Sequence, residues 1–300
     1  MPTFRYSAAI SGFCRAASVF DAMKEVKQAG YDGVDLPLYY YARAKDSPLC
    51  RDDWWRIWTE AVGAYADELG LPVVQTHALW EQKIAADLHY ESPSYLYARL
   101  FEVCRILHCK KLVFHPVEYP HRIASAEISE EIHRYNLRWF RELLPLAERT
   151  DVTVELENTF DYFHLQMPSD PQTPYSSAAQ MLALAQELNS PYVKLCLDTG
   201  HANIAKQDIP QMIGSFADRL DCLHLNDNFG KRIAEHEDLH LLPGDGTVPW
   251  EQTAHALKQA GYHGVINLEL IASLAGQTSE ERVAVLRQGR ERIRSMLEGV

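Results

Sequence analysis

The sequence predicts an α/β fold of the (β/α)8 TIM-barrel class, on three observations. Short apolar runs alternate with amphipathic stretches eight times along the 300 residues. The joints from helix to strand are short, and those from strand to helix are long. Ionisable residues recur at or just after the C-terminal ends of the apolar runs. Eight strand–helix units in strict order are what a closed barrel requires, and such barrels usually occupy about 250 residues.

The elements follow from hydrophobic periodicity. Strands are predicted over residues 6–13, 33–38, 73–78, 112–117, 152–157, 193–198, 222–226 and 265–270. The helices between and after them are predicted over 19–29, 54–69, 93–108, 132–149, 178–188, 209–220, 250–260 and 280–297. Gly30 and Gly70 close the first two helices, as glycine does at helix C-termini. A doubly wound open sheet is the rival, but its first strand normally runs into a glycine-rich phosphate turn, which SGFCRAAS is not. With no linker, low-complexity tract or break in composition, residues 1–300 are expected to form a single TIM-barrel domain.

Joint length marks the working end of such a barrel. The helix-to-strand joints 30–32, 70–72, 109–111, 150–151, 220–221 and 261–264 are tight, whereas the strand-to-helix joints 39–53, 80–92, 159–177 and 227–249 are long. Catalytic loops follow the strands, at the C-terminal face. The ionisable residues His77, His115, Glu157, Asp198, His201, His224 and Glu269 lie at the start of these same loops or at the strand ends that lead into them. A carboxylate or imidazole buried without a partner costs several kcal/mol, roughly. A pattern repeated on so many strands points to a shared metal ion and to an enzyme.

Glu157, Asp198, His224 and Glu269 end the fifth to eighth strands and should converge on the mouth, three carboxylates and one imidazole around one point. That mixed oxygen and nitrogen set suits Mn2+, Mg2+, Co2+ or Zn2+ without deciding between them. Glu155 and Glu157 share one side of their strand, and Glu157 is chosen as the ligand because it lies nearer the C-terminal end. Glu157 and Glu269, on opposite sides of a metal, form a catalytic acid/base pair that could move protons on a substrate through a metal-stabilised enediolate. That is the chemistry of sugar isomerisation or epimerisation beside a carbonyl.

The bulk numbers bound the alternatives. A formal charge of −12 argues against a nucleic-acid partner. The six cysteines form no C-x-x-C pair and read as reduced, mostly buried thiols. No window approaches the roughly 20 apolar residues of a membrane span, and the N-terminal segment MPTFRYSAAISGF is not a secretion signal. A cytoplasmic protein is expected, and a homo-oligomer is compatible with the sequence.

Five segments carry a family resemblance: ENT at 157–159, LDTGH at 197–201, HLND at 224–227, DLHLLPGDGTVPW at 238–250 and GYHGVINLEL at 261–270. They resemble the xylose-isomerase-like barrel superfamily, which includes sugar isomerases, ketose 3-epimerases, inositol-catabolism enzymes and apurinic endonucleases. The resemblance implies that Glu157, Asp198, His224 and Glu269 hold a divalent metal, with Glu157 and Glu269 as the acid/base pair. His201 would bind a substrate oxygen or a further metal. In place of the arginine by which ketose epimerases usually hold substrate after the seventh strand, this chain has NFGKRIAEHEDLH, in which Lys231 or Arg232 could substitute. Asp238 and His240, with His77, His115 and His201, match the additional ligand positions of the apurinic endonucleases, which cleave a phosphodiester with three metals. Aromatic loop residues, Trp80 among them, and the acidic balance favour a small sugar substrate. A metal-cluster phosphodiesterase, or a sugar lyase or dehydratase using the same site, is the alternative.

Overall fold

A computed structural model describes residues 4–13, 17–43, 45–79, 94–117, 126–160, 174–231 and 238–299. The strands are β1 (Tyr6–Ala9), β2 (Gly33–Pro37), β3 (Val73–His77), β4 (Lys111–Phe114), β5 (Thr153–Glu157), β6 (Val193–Asp198), β7 (Leu220–His224) and β8 (Ile266–Leu268). The helices are α1 (Val19–Gln28), α2 (Trp55–Leu69), α3 (Ser94–Ile106), α4 (Ala126–Thr150), α5 (Ala178–Leu188), α6 (Thr199–Ile204), α7 (Ile209–Phe216), α8 (Trp250–Gln259) and α9 (Ser279–Glu298).

The eight strands run in the order β7-β6-β5-β4-β3-β2-β1-β8, and they pair in parallel. The sheet closes just beyond β7, where Leu225 bridges Leu268: Leu225 N donates to Asn267 O at 2.9 Å, and Glu269 N donates to Leu225 O at 3.1 Å. This is the TIM barrel expected from the sequence.

Period-two alternation then sorts the side chains. Leu36, Leu112, Leu156, Leu195 and Leu223 join the large apolar core with the surrounding helices. The alternate residues face the barrel interior, where Val113, Cys196 and Cys222 make a small apolar plug. Register aligns the strand tips above that plug: Cys196 pairs with Cys222, and Asp198 with His224. Polar side chains that alternation turns inward near the C-terminal ends therefore meet in one place.

Local chemistry sets the helix ends. Ser18 accepts from Asp21 N at the start of α1, and capping boxes built on Ser177 with Gln180 and on Thr278 with Glu281 begin α5 and α9. Gly70 ends α2 with φ 56, a left-handed conformation that glycine adopts without a Cβ penalty. The last helix is fixed to the first by a buried, two-pronged ion pair: Arg282 Nε to Glu25 Oε2 at 2.8 Å and Nη2 to Oε1 at 2.6 Å.

Several boundaries differ from the sequence expectation. The first strand stops at Ala9, because residues Ser11–Phe13 turn into a 3-10 helix. The seventh strand begins at Leu220 rather than Cys222, so the expected 220–221 joint is strand. The preceding helix ends at Phe216, before Ala217 adopts φ 47. α4 begins at Ala126, before the expected start at 132. The short α6 was not expected; the Asp198 side chain caps it by accepting from His201 N. Among the described residues no helix is long and apolar enough to cross a membrane.

Removing one partner of a buried ion pair leaves the other charge uncompensated, at about 3–5 kcal/mol. Arg282→Ala is expected to lose that much in urea unfolding, and the paired change Glu25→Leu with Arg282→Met to recover most of it.

Candidate active site at the barrel mouth

The tips of the strands and the segments that follow them bring eight of the expected site residues into one buried cluster, joined by Asp238 at its edge. Glu157, at the end of β5, is fully buried and touches four imidazoles. Its Oε1 lies 2.9 Å from His224 Nδ1 and 3.4 Å from His201 Nδ1. Its Oε2 lies 3.2 Å from His77 Nε2 and 3.0 Å from His115 Nε2. His224 Nδ1 is also 3.6 Å from Glu269 Oε2. Glu269 lies just past the end of β8; Ser11 Oγ donates to its Oε1 at 3.3 Å, and it retains 7% exposure where Glu157 has none.

A second lobe builds on β6 and α6. Asp198 accepts from His201 N at 2.7 Å and from Asn226 Nδ2 at 2.8 Å. His201 Nε2 lies 3.5 Å from Asp238 Oδ2, which is 3.0 Å from His240 Nε2. His240 Nδ1 in turn reaches Glu269 Oε2 at 3.5 Å.

These contacts polarise the site. Burial alone would raise the Glu157 carboxyl, yet His224 and His115 hold it well below the usual range. Burial raises Asp198 to about 6 against the pull of His201 and His240. Burial opposes a charge on His240, but Asp238 and Glu269 outweigh it and lift the imidazole to about 10. His201 and His224 are likewise raised well above the ordinary value despite burial, by Asp198 and Asp238 in one case and Glu157 and Glu269 in the other. At His115 burial prevails over Glu157 and lowers it to about 4.

Four groups have ligand atoms close enough to hold an ion: His77, His115 and Glu157; Glu157, Cys196 and His224; Asp198, His224 and Glu269; and Asp198, His201 and His240. In each, the candidate atoms lie within 4.8 Å of one another and every residue is buried. Asp238 Oδ1 is buried without a hydrogen-bond partner among the described residues. Buried imidazole and carboxylate donors of this kind fit a divalent cation.

Asp227 shapes the rim, a role not read from the sequence although HLND was recognised. Its buried carboxylate accepts from Asn228 N, Val248 N, Gly244 N, Gly246 N and Trp250 Nε1, at 2.8–3.0 Å. Its backbone pairs in both directions with Leu241. The loop that carries Asp238 and His240 is thereby wrapped around one side chain, and His240 is held at φ 48. Gly246 packs against Asn228 O and Asp227 Oδ1 so closely that a Cβ would collide with both. Asn158 was also missed: its amide accepts from Asp198 N at 2.8 Å and donates to Asp198 O at 3.0 Å, tying the β5 tip to β6.

Of the expected substrate-contacting residues, Lys231 is exposed, and Trp80 and Arg232 lie outside the described residues. Tyr39 stands edge-on to His77 with ring centroids 5.2 Å apart, and buried Phe160 lies against His201 at 5.3 Å.

The chain belongs to the xylose isomerase-like TIM barrel family, whose model matches residues 23–296. It is similar to the D-psicose 3-epimerase of Enterocloster bolteae, with 29% identity over 147 residues, 48% of this chain and 42% of that enzyme. The match spans half or less of the length of the first curated relatives. Among solved structures, the fold is similar to a D-psicose 3-epimerase with D-tagatose from Clostridium cellulolyticum. The TM-score is 0.75 at 17% identity, covering 98% of this chain and 99% of the other. It is similar too to the IOLI protein with a binding zinc atom, at TM-score 0.74 and 17% identity over 97% and 98% of the two chains.

Asp227→Ala strands several buried donors, each worth about 1–3 kcal/mol; a loss of about 3–5 kcal/mol is expected in chemical denaturation. The His240 shift has a definite sign. An imidazole raised to about 10 in the folded chain contributes stability that is complete below its unfolded value and is lost as pH rises toward 10. In chelator-treated protein the thermal midpoint is therefore expected to fall between pH 7 and 10, and His240→Gln to flatten that fall.

Proposed function

We propose that the protein is a divalent-metal-dependent sugar isomerase or epimerase that moves a proton at a carbon beside a carbonyl. The observation that carries this reading is the pair of carboxylates on either side of His224 Nδ1, Glu157 at 2.9 Å and Glu269 at 3.6 Å, with Asp198 and Glu269 grouped about the same imidazole. The name of one relative supports it: the similar Enterocloster bolteae protein is a D-psicose 3-epimerase.

Glu157, Asp198, His224 and Glu269 would hold the cation. A bound divalent ion would draw electron density from the substrate carbonyl and offset the charge that develops on its oxygen. The remaining work falls to the chain. Glu269, partly open to the mouth and steadied by Ser11, takes the proton from the carbon. Glu157, clasped by imidazoles, serves the opposite side as ligand and proton partner. Tyr39 and Phe160, packed on the histidines, keep bulk water from the reacting atoms.

A second reading, a metal-cluster phosphodiesterase, is favoured by one specific observation. The ligand groups adjoin one another through shared Glu157, His224 and Asp198, so three ions could be accommodated. Metal analysis separates the two: one ion per chain supports the isomerase and three support the hydrolase. The sugar reading itself is tested by incubating a ketose with metal-loaded protein in D2O, where deuterium should enter at the carbon beside the carbonyl. Chelator-sensitive cleavage of abasic-site DNA without such exchange would overturn it. Glu269→Gln is expected to lower turnover by about 10²–10⁴-fold, while weakening metal binding less than His224→Ala does.

A further inference from the structure

We infer that Asp35 is a positioning residue of the candidate metal centre, setting through His224 Nε2 which imidazole nitrogen faces the barrel mouth and hence how tightly a divalent cation is held. The inference rests on the metal reading above and extends it one layer deeper into the barrel. His224 turns Nδ1 toward Glu157 Oε1 and Glu269 Oε2, at 2.9 and 3.6 Å. A neutral imidazole that offers Nδ1 as a lone pair must carry its proton on Nε2. Here Nε2 is buried, the Asp35 carboxylate oxygen Oδ2 lies within ion-pair distance at 3.2 Å, and Nε2 makes no hydrogen bond among the described residues.

Asp35 sits on β2 and is itself held from β3 and, across the barrel interior, from β8. Gln75 Nε2 donates to its Oδ2 at 2.9 Å, and Asn267 Nδ2 donates to the same oxygen at 3.0 Å. Ser7 Oγ donates to Asn267 Oδ1 at 2.7 Å, which turns that amide's NH2 toward Asp35. The other Asp35 oxygen, Oδ1, is buried and makes no hydrogen bond among the described residues. Gln75 and Asn267 are neutral donors that an asparagine at position 35 would satisfy equally well. A buried charge is costly, and the neighbour that makes use of it is the imidazole. A carboxylate on the remote N–H of a ligating histidine fixes the ring and raises the basicity of the ligating nitrogen, and its loss commonly costs 10–100-fold in metal affinity.

The test uses the full chain stripped with chelator, and zinc titrated against a chromophoric competitor. Wild type, Asp35→Ala, Asp35→Asn and Gln75→Leu are compared, and the cobalt(II) absorption spectrum of each is recorded. Asp35→Ala is expected to weaken zinc binding about 10–100-fold and to move the cobalt bands, and Asp35→Asn to weaken it by a smaller factor. Gln75→Leu removes a donor to Asp35 and to Leu223 O but leaves the Asp35 carboxylate in place, and should shift both readouts less than the Asp35 variants do. Should Asp35→Ala fail to fold, Asp35→Asn carries the comparison against Gln75→Leu. Asp35 variants that match wild type in affinity and cobalt spectrum overturn the inference, as does a Gln75→Leu loss equal to theirs. A wild-type chain that binds neither zinc nor cobalt overturns it together with the metal reading; wild-type binding with indifferent Asp35 variants overturns it alone.

Discussion

The concentration of opposite charges in a dry space is the constraint on which the rest of this structure depends. Glu157 alone faces four imidazoles, and Asp198, Asp238 and Glu269 supply further negative charge within a few ångströms. None of these groups could be left singly in a barrel interior, because each would lose its hydration without recompense. Together they are tolerable, and they bias one another: carboxylates raise the imidazoles of His201, His224 and His240 above the ordinary value, while imidazoles pull Glu157 below the usual carboxylate range. The surrounding architecture serves that assembly. Parallel register lines up the strand tips, Asn158 ties β5 to β6, and Asp227 folds the long rim loop so that Asp238 and His240 complete the second lobe.

Much of this was legible before any coordinates. Eight apolar runs with ionisable ends specify both the barrel and the face that works, since period two sends alternate residues inward. The choice of Glu157 over Glu155 followed from strand position, and the two do occupy different levels: Glu157 meets the histidines, whereas Glu155 takes a hydrogen bond from Thr153 at the base. Asp35 gave the same kind of signal, a carboxylate inside the apolar run GVDLP, and went unread because it lies below the strand tip. Asp227 could not have been read locally. Four of its five donors come from residues 17–23 positions further on, and only the folded loop brings them to one carboxylate. Element ends were missed where a single backbone conformation decides them, as at Ala217.

The relatives share this barrel while differing in sequence at most positions, which is what a fold that hosts chemistry at its loops allows. In this chain the candidate ligand groups are continuous, so the number of ions held would follow from how many adjoining groups were filled rather than from a separate pocket for each. Glu157, His224 and Asp198, each shared between groups, are the residues through which filling one position would alter the next.

Backbone pairing is sparse between the closing pair of staves. β7 and β8 are joined around Leu225, with one bridge to Leu268. His224 and Glu269 stand on either side of that seam, one at the tip of each stave. Any cation they grip in common acts as a rivet across the hoop, so that loading the site and tightening the cylinder become a single event.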